Sequence, residues 1–143
     1  MHVLQHTDRL GGDAVIRQLI DVEHYWRVVV LYDWDGNFLY DAVHELHDAG
    51  FTREFVRQIV TVMSLGLAKA VTCSNTRNHI SIVIFNHHDT VEDYISSIVH
   101  EAEHVKQAML DAYDVEDAGE PPAYTIGYLV MRMWEVFRGF VCK

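Results

Sequence analysis

Apolar residues recur at intervals of three and four along five stretches of the chain, the spacing that places them on one face of an α-helix. These stretches cover residues 15–23, 39–50, 52–67, 90–112 and 121–137. A residue with a short polar side chain precedes four of them, as expected for a helix N-cap. The predicted caps are Asp13, Asn37, Thr52 and Thr90. The pattern therefore predicts five helices, the last starting near Pro121 and Pro122, where missing amide protons cost little.

Other stretches are short and rich in β-branched and aromatic residues, which is typical of strands. The predicted strands are residues 2–6, 26–32, 70–74 and 79–85. The second of these is apolar throughout, which predicts burial on both faces and a central place in a sheet. The last two are joined by residues 75–78, a linker of hairpin length. A hairpin through residues 38–42 competes with the helix predicted there.

Composition and organisation indicate one folded unit. Of the 143 residues, 50% are hydrophobic and 22% are charged, as in ordinary globular domains. No internal repeat, low-complexity tract or linker divides the chain. We therefore expect a single domain over residues 1–143 that contains both helices and strands.

Two polar segments in the first half of the chain suggest metal sites. The segment from Asp33 to Asn37 resembles the opening of a calcium loop, but Phe38 then occupies the position of the loop's glycine and His44 that of its bidentate glutamate. The sequence therefore excludes a calcium loop. His44 and His47 lie on adjacent turns of a predicted helix and could form a second metal site, although solvated surface residues explain them as well.

Residues 100–104 have the sequence His-Glu-Ala-Glu-His and lie inside the fourth predicted helix. Because residues four apart share a helix face, His100 and His104 can direct ring nitrogens at one ion. Two imidazoles suit zinc, and a zinc-bound water has a pKa near about 7, at which the neighbouring carboxylate of Glu101 can take its proton. The motif therefore indicates the chemistry of a metallohydrolase.

The apolar and polar positions of this helix separate onto opposite faces. The predicted buried stripe is Ile95, Ile98, Val99, Ala102, Val105, Met109 and Ala112. The predicted polar face is Asp93, Ser96, Ser97, His100, His104, Gln107 and Asp111. Both histidines are therefore expected away from the core, which fits the floor of a cleft and equally fits a solvated surface.

A hydrolytic zinc site usually has three protein ligands and one open position. The acidic candidates after the motif are Asp111, Asp114, Glu116, Asp117 and Glu120. We select Glu120 because it opens the last predicted helix, whereas the others lie at the end of the motif helix or in the connector. His87 and His88, just before the motif helix, could also approach the metal, although a polar loop explains them as well.

The segment from residue 95 to residue 130, about a quarter of the chain, resembles a known group of proteins. His100, Glu101 and His104, followed sixteen residues later by Glu120, resemble a minimal gluzincin, the zincin branch whose third ligand is a Glu on the helix after the motif helix. The following residues are similar to the Glu-x-x-Ala-Tyr-x-x-Gly-Tyr segment of small His-Glu-x-x-His proteins of phages and bacterial mobile elements.

The resemblance implies an α+β, zincin-like fold, in which a small mixed sheet packs on two helices and the motif helix is followed by a second, C-terminal helix. It also implies a Zn²⁺ ion held by His100, His104 and Glu120, with Glu101 as general base. The implied activity is that of a zinc metallopeptidase, with a peptide or protein substrate lying along the edge strand of the sheet.

Three further residues of this segment bear on the resemblance. Glu103 occupies a motif position that is usually uncharged, where a solvated carboxylate is harmless. Tyr124 and Tyr128 could donate hydrogen bonds to a developing oxyanion, and packing at the edge of the core explains them equally.

Charge and cysteine content restrict the other function classes. A formal charge of −10, with eleven Lys and Arg spread along the chain, does not supply the basic footprint that nucleic acid requires. No apolar run approaches the roughly 18 to 20 residues that span a bilayer, and no leader pattern is present, so we expect a soluble, cytoplasmic protein. Cys73 and Cys142 are far apart and are expected to be reduced thiols.

Two alternatives to the peptidase remain. A chain this short leaves few residues for a substrate-specificity subdomain, so a non-catalytic zinc-binding interaction protein on the same scaffold fits the same motif. The other alternative is an acidic domain whose histidines are surface residues that bind no metal. The sequence does not specify the substrate or the oligomeric state.

Overall fold

The computed structural model describes residues 5–10, 15–34 and 39–141. In this part of the chain the strands are β1 Gln5–Leu10, β2 Val15–Val22, β3 Trp26–Trp34, β4 Ala70–Asn75 and β5 Ile80–Asn86. The helices are α1 Leu39–Asp48, α2 Arg53–Ser64, α3 Val91–Tyr113 and α4 Glu120–Val141. The predicted strands at 26–32, 70–74 and 79–85 are thereby confirmed, as is the helix that competed with a hairpin over 38–42.

The five strands form one sheet in the order β1-β2-β3-β5-β4. β3 and β5 pair parallel, and the other neighbours pair antiparallel, so the sheet is mixed. β3 is the middle strand, as its continuous apolar sequence predicted. The motif helix is followed by a C-terminal helix, as expected, and the protein is of the mixed α+β class. β4 forms one edge of the sheet, with β5 as its neighbour.

Helices cover both faces of the sheet, and this explains why β3 has no polar face. Val28 and Val30 are fully buried in a core shared with α3 and α4. Val29 and Leu31 belong to a second core, shared with α1 and α2. The arrangement expected from the resemblance had two helices packed on the sheet, whereas four helices pack on it here, two against each face.

The helix predicted over residues 15–23 is wrong, because this segment is strand β2. The prediction rested on the helical spacing of Val15, Ile16, Leu19 and Ile20. Of the two polar residues between them, Arg17 donates to Glu45 of α1 across 2.7 Å. Gln18 is fully buried, accepts a hydrogen bond from Tyr32 at 2.6 Å and donates to the backbone oxygen of Arg132 at 2.8 Å. Both polar side chains therefore have partners inside the fold.

A chain of hydroxyl contacts crosses three neighbouring strands on the face that α3 and α4 cover. The indole nitrogen of Trp26, on β3, donates to the hydroxyl of Ser81, on β5, at 3.0 Å. The hydroxyl of Ser81 lies 2.7 Å from that of Ser74, on β4. These contacts pair Ser74 with Ser81 across the antiparallel β4–β5 ladder.

The predicted N-caps of α2 and α3 are confirmed. The hydroxyl of Thr52 accepts from the amide of Phe55 at 3.2 Å, and that of Thr90 accepts from the amide of Asp93 at 3.1 Å. The predicted caps Asp13 and Asn37 lie outside the described residues. Of the strand predicted at 2–6, residues 2–4 also lie outside the described residues, and residues 5 and 6 are the first two of β1.

The buried stripe of α3 differs in part from the prediction. Ile98, Ala102 and Val105 are buried as expected. Ile95 and Val99 are instead 41% and 43% exposed. Charged residues of the same helix, Glu101 and Lys106, are buried in their place, and both are described with the site below.

Cys73 is a free, buried thiol. Burial, assisted by the nearby charge of Glu101, raises the pKa of this thiol to about 12, which keeps it protonated. Cys142 lies outside the described residues. Within the described residues, none of the helices is long and apolar enough to cross a lipid bilayer.

Candidate metal centre

The two motif histidines lie side by side on the solvent face of α3. Their Nε2 atoms are 3.2 Å apart, and their ring centroids are 4.8 Å apart with the planes at 77°. Both His100 and His104 are exposed, as the polar face of the sequence pattern predicted. Two neutral imidazoles at this distance can share one proton as a hydrogen bond, or both can direct a lone pair at one ion.

The spacing of the two nitrogens fits a shared zinc ion. With zinc–nitrogen bonds of about 2.0–2.1 Å and tetrahedral angles, two ligand nitrogens lie about 3.3 Å apart. The 3.2 Å between His100 and His104 is close to this value. The donor set therefore fits zinc in chemistry and in spacing.

Glu101 projects from α3 toward the sheet and not into solvent. It is only 4% exposed, and its carboxylate accepts a hydrogen bond from the hydroxyl of Thr72, on β4, at 3.3 Å. Its Oε2 atom is 4.0 Å from Nε2 of His100. Glu101 therefore fills the space between the histidine pair and the edge strand.

Burial raises the pKa of Glu101 above its usual value, while the charges of His100 and His104 and the Thr72 hydrogen bond act in the opposite direction. A carboxylate whose pKa lies nearer neutrality is a better proton acceptor at neutral pH than an exposed one. The buried position therefore suits the role of a general base.

His100, Glu101 and His104 each offer a ligand atom, and these atoms lie within 4.8 Å of one another. Among the residues that the structure describes, these three form the group of His, Cys, Asp or Glu side chains that is close enough to share one metal ion. Glu120, the expected third ligand, is exposed and outside this group; it is the first residue of α4, as the sequence predicted. Its role as a ligand stays a prediction.

A buried lysine fixes the segment that leads to Glu120. The ammonium group of Lys106, on α3, donates to Glu103 at 2.6 Å and to both carboxylate oxygens of Asp117 at 2.9 and 3.0 Å. These hydrogen bonds, first to Glu103 and then to Asp117, raise the pKa of Lys106, whereas burial opposes the rise. Glu103 therefore has a structural partner at its unusual motif position.

The two histidines that precede the motif helix, His87 and His88, have partners elsewhere in the fold. His88 is buried, with its two ring nitrogens 2.6 Å from the backbone oxygen of Asn86 and 2.7 Å from the hydroxyl of Ser97. His87 pairs with Asp33 at 2.6 Å.

His44 pairs with Asp48 at 3.1 Å and stacks on Tyr40. Within the described residues, neither His44 nor His47 belongs to a group of three metal-ligating side chains. The suggestion of a second metal site on α1 therefore gains no support.

Sequence reasoning missed Thr72 and Lys106. Thr72 lies 29 positions before Glu101, and no local pattern links them. Lys106 lies next to the predicted apolar stripe of α3, and its burial does not follow from that pattern. The acidic residues of the connector, which include Asp117, were the one feature of the sequence that could have indicated a buried cation nearby.

Comparisons of the chain with protein-family models, with curated proteins and with solved structures gave no match.

Proposed function

We propose that this protein is a zinc-dependent metallopeptidase that hydrolyses peptide or protein bonds. The observation that carries the proposal is the pair of Nε2 atoms of His100 and His104 at 3.2 Å, with a buried carboxylate, Glu101, beside them. Glu120 is proposed as the third protein ligand. The resemblance of residues 95–130 to minimal gluzincins supports the same assignment.

In this proposal zinc supplies Lewis acidity, which lowers the pKa of a coordinated water to about 7 and polarises a substrate carbonyl. His100 and His104 hold the ion with neutral ring nitrogens. The carboxylate of Glu101 lies 4.0 Å from the nearer imidazole nitrogen, farther than the spacing expected for two ligands of one ion. This distance favours a proton acceptor beside the ion over a ligand to it.

The position of β4 at the end of the strand order, among the strands that the structure describes, supports a polypeptide substrate. β4 ends the strand order, and its Thr72 contacts Glu101. An extended peptide added to this edge by backbone hydrogen bonds would therefore pass beside the proposed base. Thr72 donates to the carboxylate and holds its orientation, while Glu101 accepts and returns a proton.

A non-catalytic zinc-binding protein is the second candidate, favoured by the exposure of the histidines. The side chain of His100 is 69% exposed, whereas catalytic sites commonly exclude water from the reacting groups. On this alternative the same three ligands hold zinc, and a partner protein covers the ion.

The deciding experiment measures metal and hydrolysis together on untagged protein. We expect about one equivalent of zinc per chain, lost in His100→Ala and in His104→Ala but retained in the matched control His44→Ala. The zinc-loaded protein is expected to cleave members of a peptide library. Glu101→Gln is expected to keep zinc and fold while losing at least about a hundredfold in rate.

Each other outcome has a definite meaning. If the unmutated protein contains no zinc even after zinc is supplied, the proposal is wrong and the two histidines are ordinary surface residues. Zinc without cleavage of any peptide would favour the non-catalytic candidate. Equal cleavage by the unmutated protein and Glu101→Gln would remove Glu101 as the base.

A further inference from the structure

A second candidate site lies on the far side of α3 from the histidines. It is a groove of about 790 Å³ between the C-terminal half of α3, the N-terminal half of α4 and the turn that joins β2 to β3. This volume lies within the range of ligand-binding pockets. Met109, on the groove, follows His104 by five residues and is rotated from it by about 140° around the helix. The groove is therefore separate from the proposed metal centre.

The walls of the groove are two side-chain rows at helical spacing. Met109 and Tyr113 form the row on α3, and Tyr124, Tyr128 and Met131 form the row on α4. Residues four apart lie on the same face, so each row is continuous. The turn between β2 and β3 closes one end of the groove. Tyrosine rings and methionine side chains therefore supply most of its contact surface.

The floor of the groove is open because α4 has a glycine there. A Cβ atom added at Gly127 would meet no atom within 4 Å among the described residues. Glycine inside a helix is destabilising relative to alanine, and no close packing at Gly127 requires it. The Ala-Tyr-x-x-Gly-Tyr segment, Ala123 to Tyr128, thus forms one side of this groove.

One aromatic wall is rigid. The hydroxyl of Tyr113 donates to the backbone oxygen of Tyr25 at 2.9 Å, and the two rings contact edge-on at 6.5 Å. Tyr25 and Tyr124 are nonetheless 65% and 72% exposed. Large aromatic side chains that are exposed to solvent are a common feature of binding surfaces.

The described lining of the groove carries a negative charge and no positive one. Glu23 lies on its rim, and among the described residues that line it none is Lys, Arg or His. Burial raises the pKa of Tyr128, the charge of Arg132 opposes the rise, and the charges of Asp21, Glu135 and Glu23 add to it. The guanidinium of Arg132 lies 6.0 Å from the centroid of the Tyr128 ring, so the rings left open to the cation of a ligand are those of Tyr25 and Tyr124.

We propose that this groove binds an Arg or Lys side chain of a partner polypeptide. The cation would lie over the exposed rings of Tyr25 and Tyr124 and near Glu23, and its aliphatic stem would contact Met109 and Met131. A second copy of this chain is a poor occupant, because each copy carries a net charge of −10 and the groove is itself acidic.

The test measures binding of two fluorescein-labelled peptides, Gly-Leu-Arg-Leu-Gly and the same sequence with neutral citrulline in place of arginine. Fluorescence anisotropy is recorded with the full chain at about 0.15 M salt, where exposed long-range charge effects are screened. We expect the arginine peptide to bind at least about tenfold more tightly, the effect of a partly desolvated cation–π contact with a carboxylate beside it.

Two variants of α4 form a matched pair. Gly127→Leu should fill the groove without a clash and weaken binding at least about tenfold, with an unchanged or higher Tm because leucine favours helix. Gly139→Leu lies on the same helix outside the groove, also with open space around it, and should bind as the unmutated protein does. Glu23→Gln should weaken binding of the arginine peptide and leave binding of the citrulline peptide unchanged.

Several results would overturn the proposal. They are equal affinity for the two peptides, no binding of either at about millimolar concentration, or equal binding by Gly127→Leu and Gly139→Leu. A dimer in sedimentation that Gly127→Leu dissociates would assign the groove to a second copy instead. His100→Ala should bind the peptide normally, so failure of this proposal and failure of the proposed hydrolysis are distinguishable.

Discussion

The hydroxyl of Thr72 lies 3.3 Å from Oε1 of Glu101 and 3.4 Å from the backbone oxygen of the same residue. One hydroxyl has one proton, so these two acceptors compete for it. The edge strand therefore contributes a donor to the proposed base without contributing a charge.

Replacing Thr72 by Val should impair hydrolysis without removing zinc. Valine has nearly the same shape but cannot donate, so the carboxylate loses one contact that fixes its orientation. We expect kcat to fall about fivefold, which corresponds to about 1 kcal/mol for one hydrogen bond. Thr72→Ser should restore most of the rate. An unchanged kcat in Thr72→Val with zinc bound would show that this contact is only structural.

Replacing Glu120 by Gln should weaken zinc affinity at least about tenfold, because an amide oxygen is a poorer zinc ligand than a carboxylate. The measurement is competition with a zinc chelator. Asp114→Asn is the control, since Asp114 has a positive φ of 53°, a conformation that Asn tolerates well. Equal affinity of Glu120→Gln and Asp114→Asn would exclude Glu120 as the third ligand.

Asp117→Asn should destabilise the fold by about 1–3 kcal/mol, the usual cost of weakening charged hydrogen bonds to a buried group. The reason is that Asp117 accepts twice from the buried ammonium of Lys106. Urea unfolding measures the change in the free energy of unfolding, again with Asp114→Asn as control. If the two variants unfold at the same urea concentration, the Lys106 contact does not stabilise the connector.

Stability should decrease below neutral pH in a way that depends on His88. Burial lowers the pKa of His88 in the folded chain, although its contact with the backbone oxygen of Asn86 opposes the shift. Between this lowered pKa and the value of about 6.5 expected when unfolded, the unfolded chain binds a proton that the folded chain does not. The free energy of unfolding therefore falls as the pH decreases through this window.

The comparison variant is His88→Gln, which retains a donor and an acceptor but does not titrate. The loss of unfolding free energy between pH 7 and pH 5.5 should be smaller in this variant than in the unmutated protein. Other titrating groups are common to both and cancel in the difference. Equal losses in the two proteins would show that His88 does not contribute to the pH dependence.

The parts of the fold that sequence predicted correctly rest on local signals. The continuous apolar run of β3 and the hydroxyl caps Thr52 and Thr90 require no knowledge of the rest of the chain. The pairing of His100 with His104 is equally local, because helical geometry alone places residues four apart together. For the same reason the hairpin of β4 and β5 was recognised from its linker.

The incorrect predictions share one physical cause, which is that polar side chains are buried here through partners that lie far away in the sequence. Gln18 is buried through bonds to β3 and α4, and Glu101 is buried against β4. Those partners are distant in sequence, so the spacing of apolar and polar residues could not predict these contacts. Ile95 and Val99 were placed in the core from the spacing of apolar residues alone, whereas the helix is rotated so that Glu101 and Lys106 are buried.

The hydroxyl chain from Trp26 through Ser81 to Ser74 determines which side chain meets the proposed base. Ser74 and Thr72 are two positions apart on β4 and therefore share a face, so locking Ser74 against Ser81 also directs Thr72 toward α3. A shift of β4 by one residue would reverse its faces and, depending on its direction, present the thiol of Cys73 or the alkyl side chain of Val71 to Glu101 in place of a hydroxyl. The alignment of an edge strand, set by contacts among β3, β5 and β4, thus selects the chemistry next to the carboxylate.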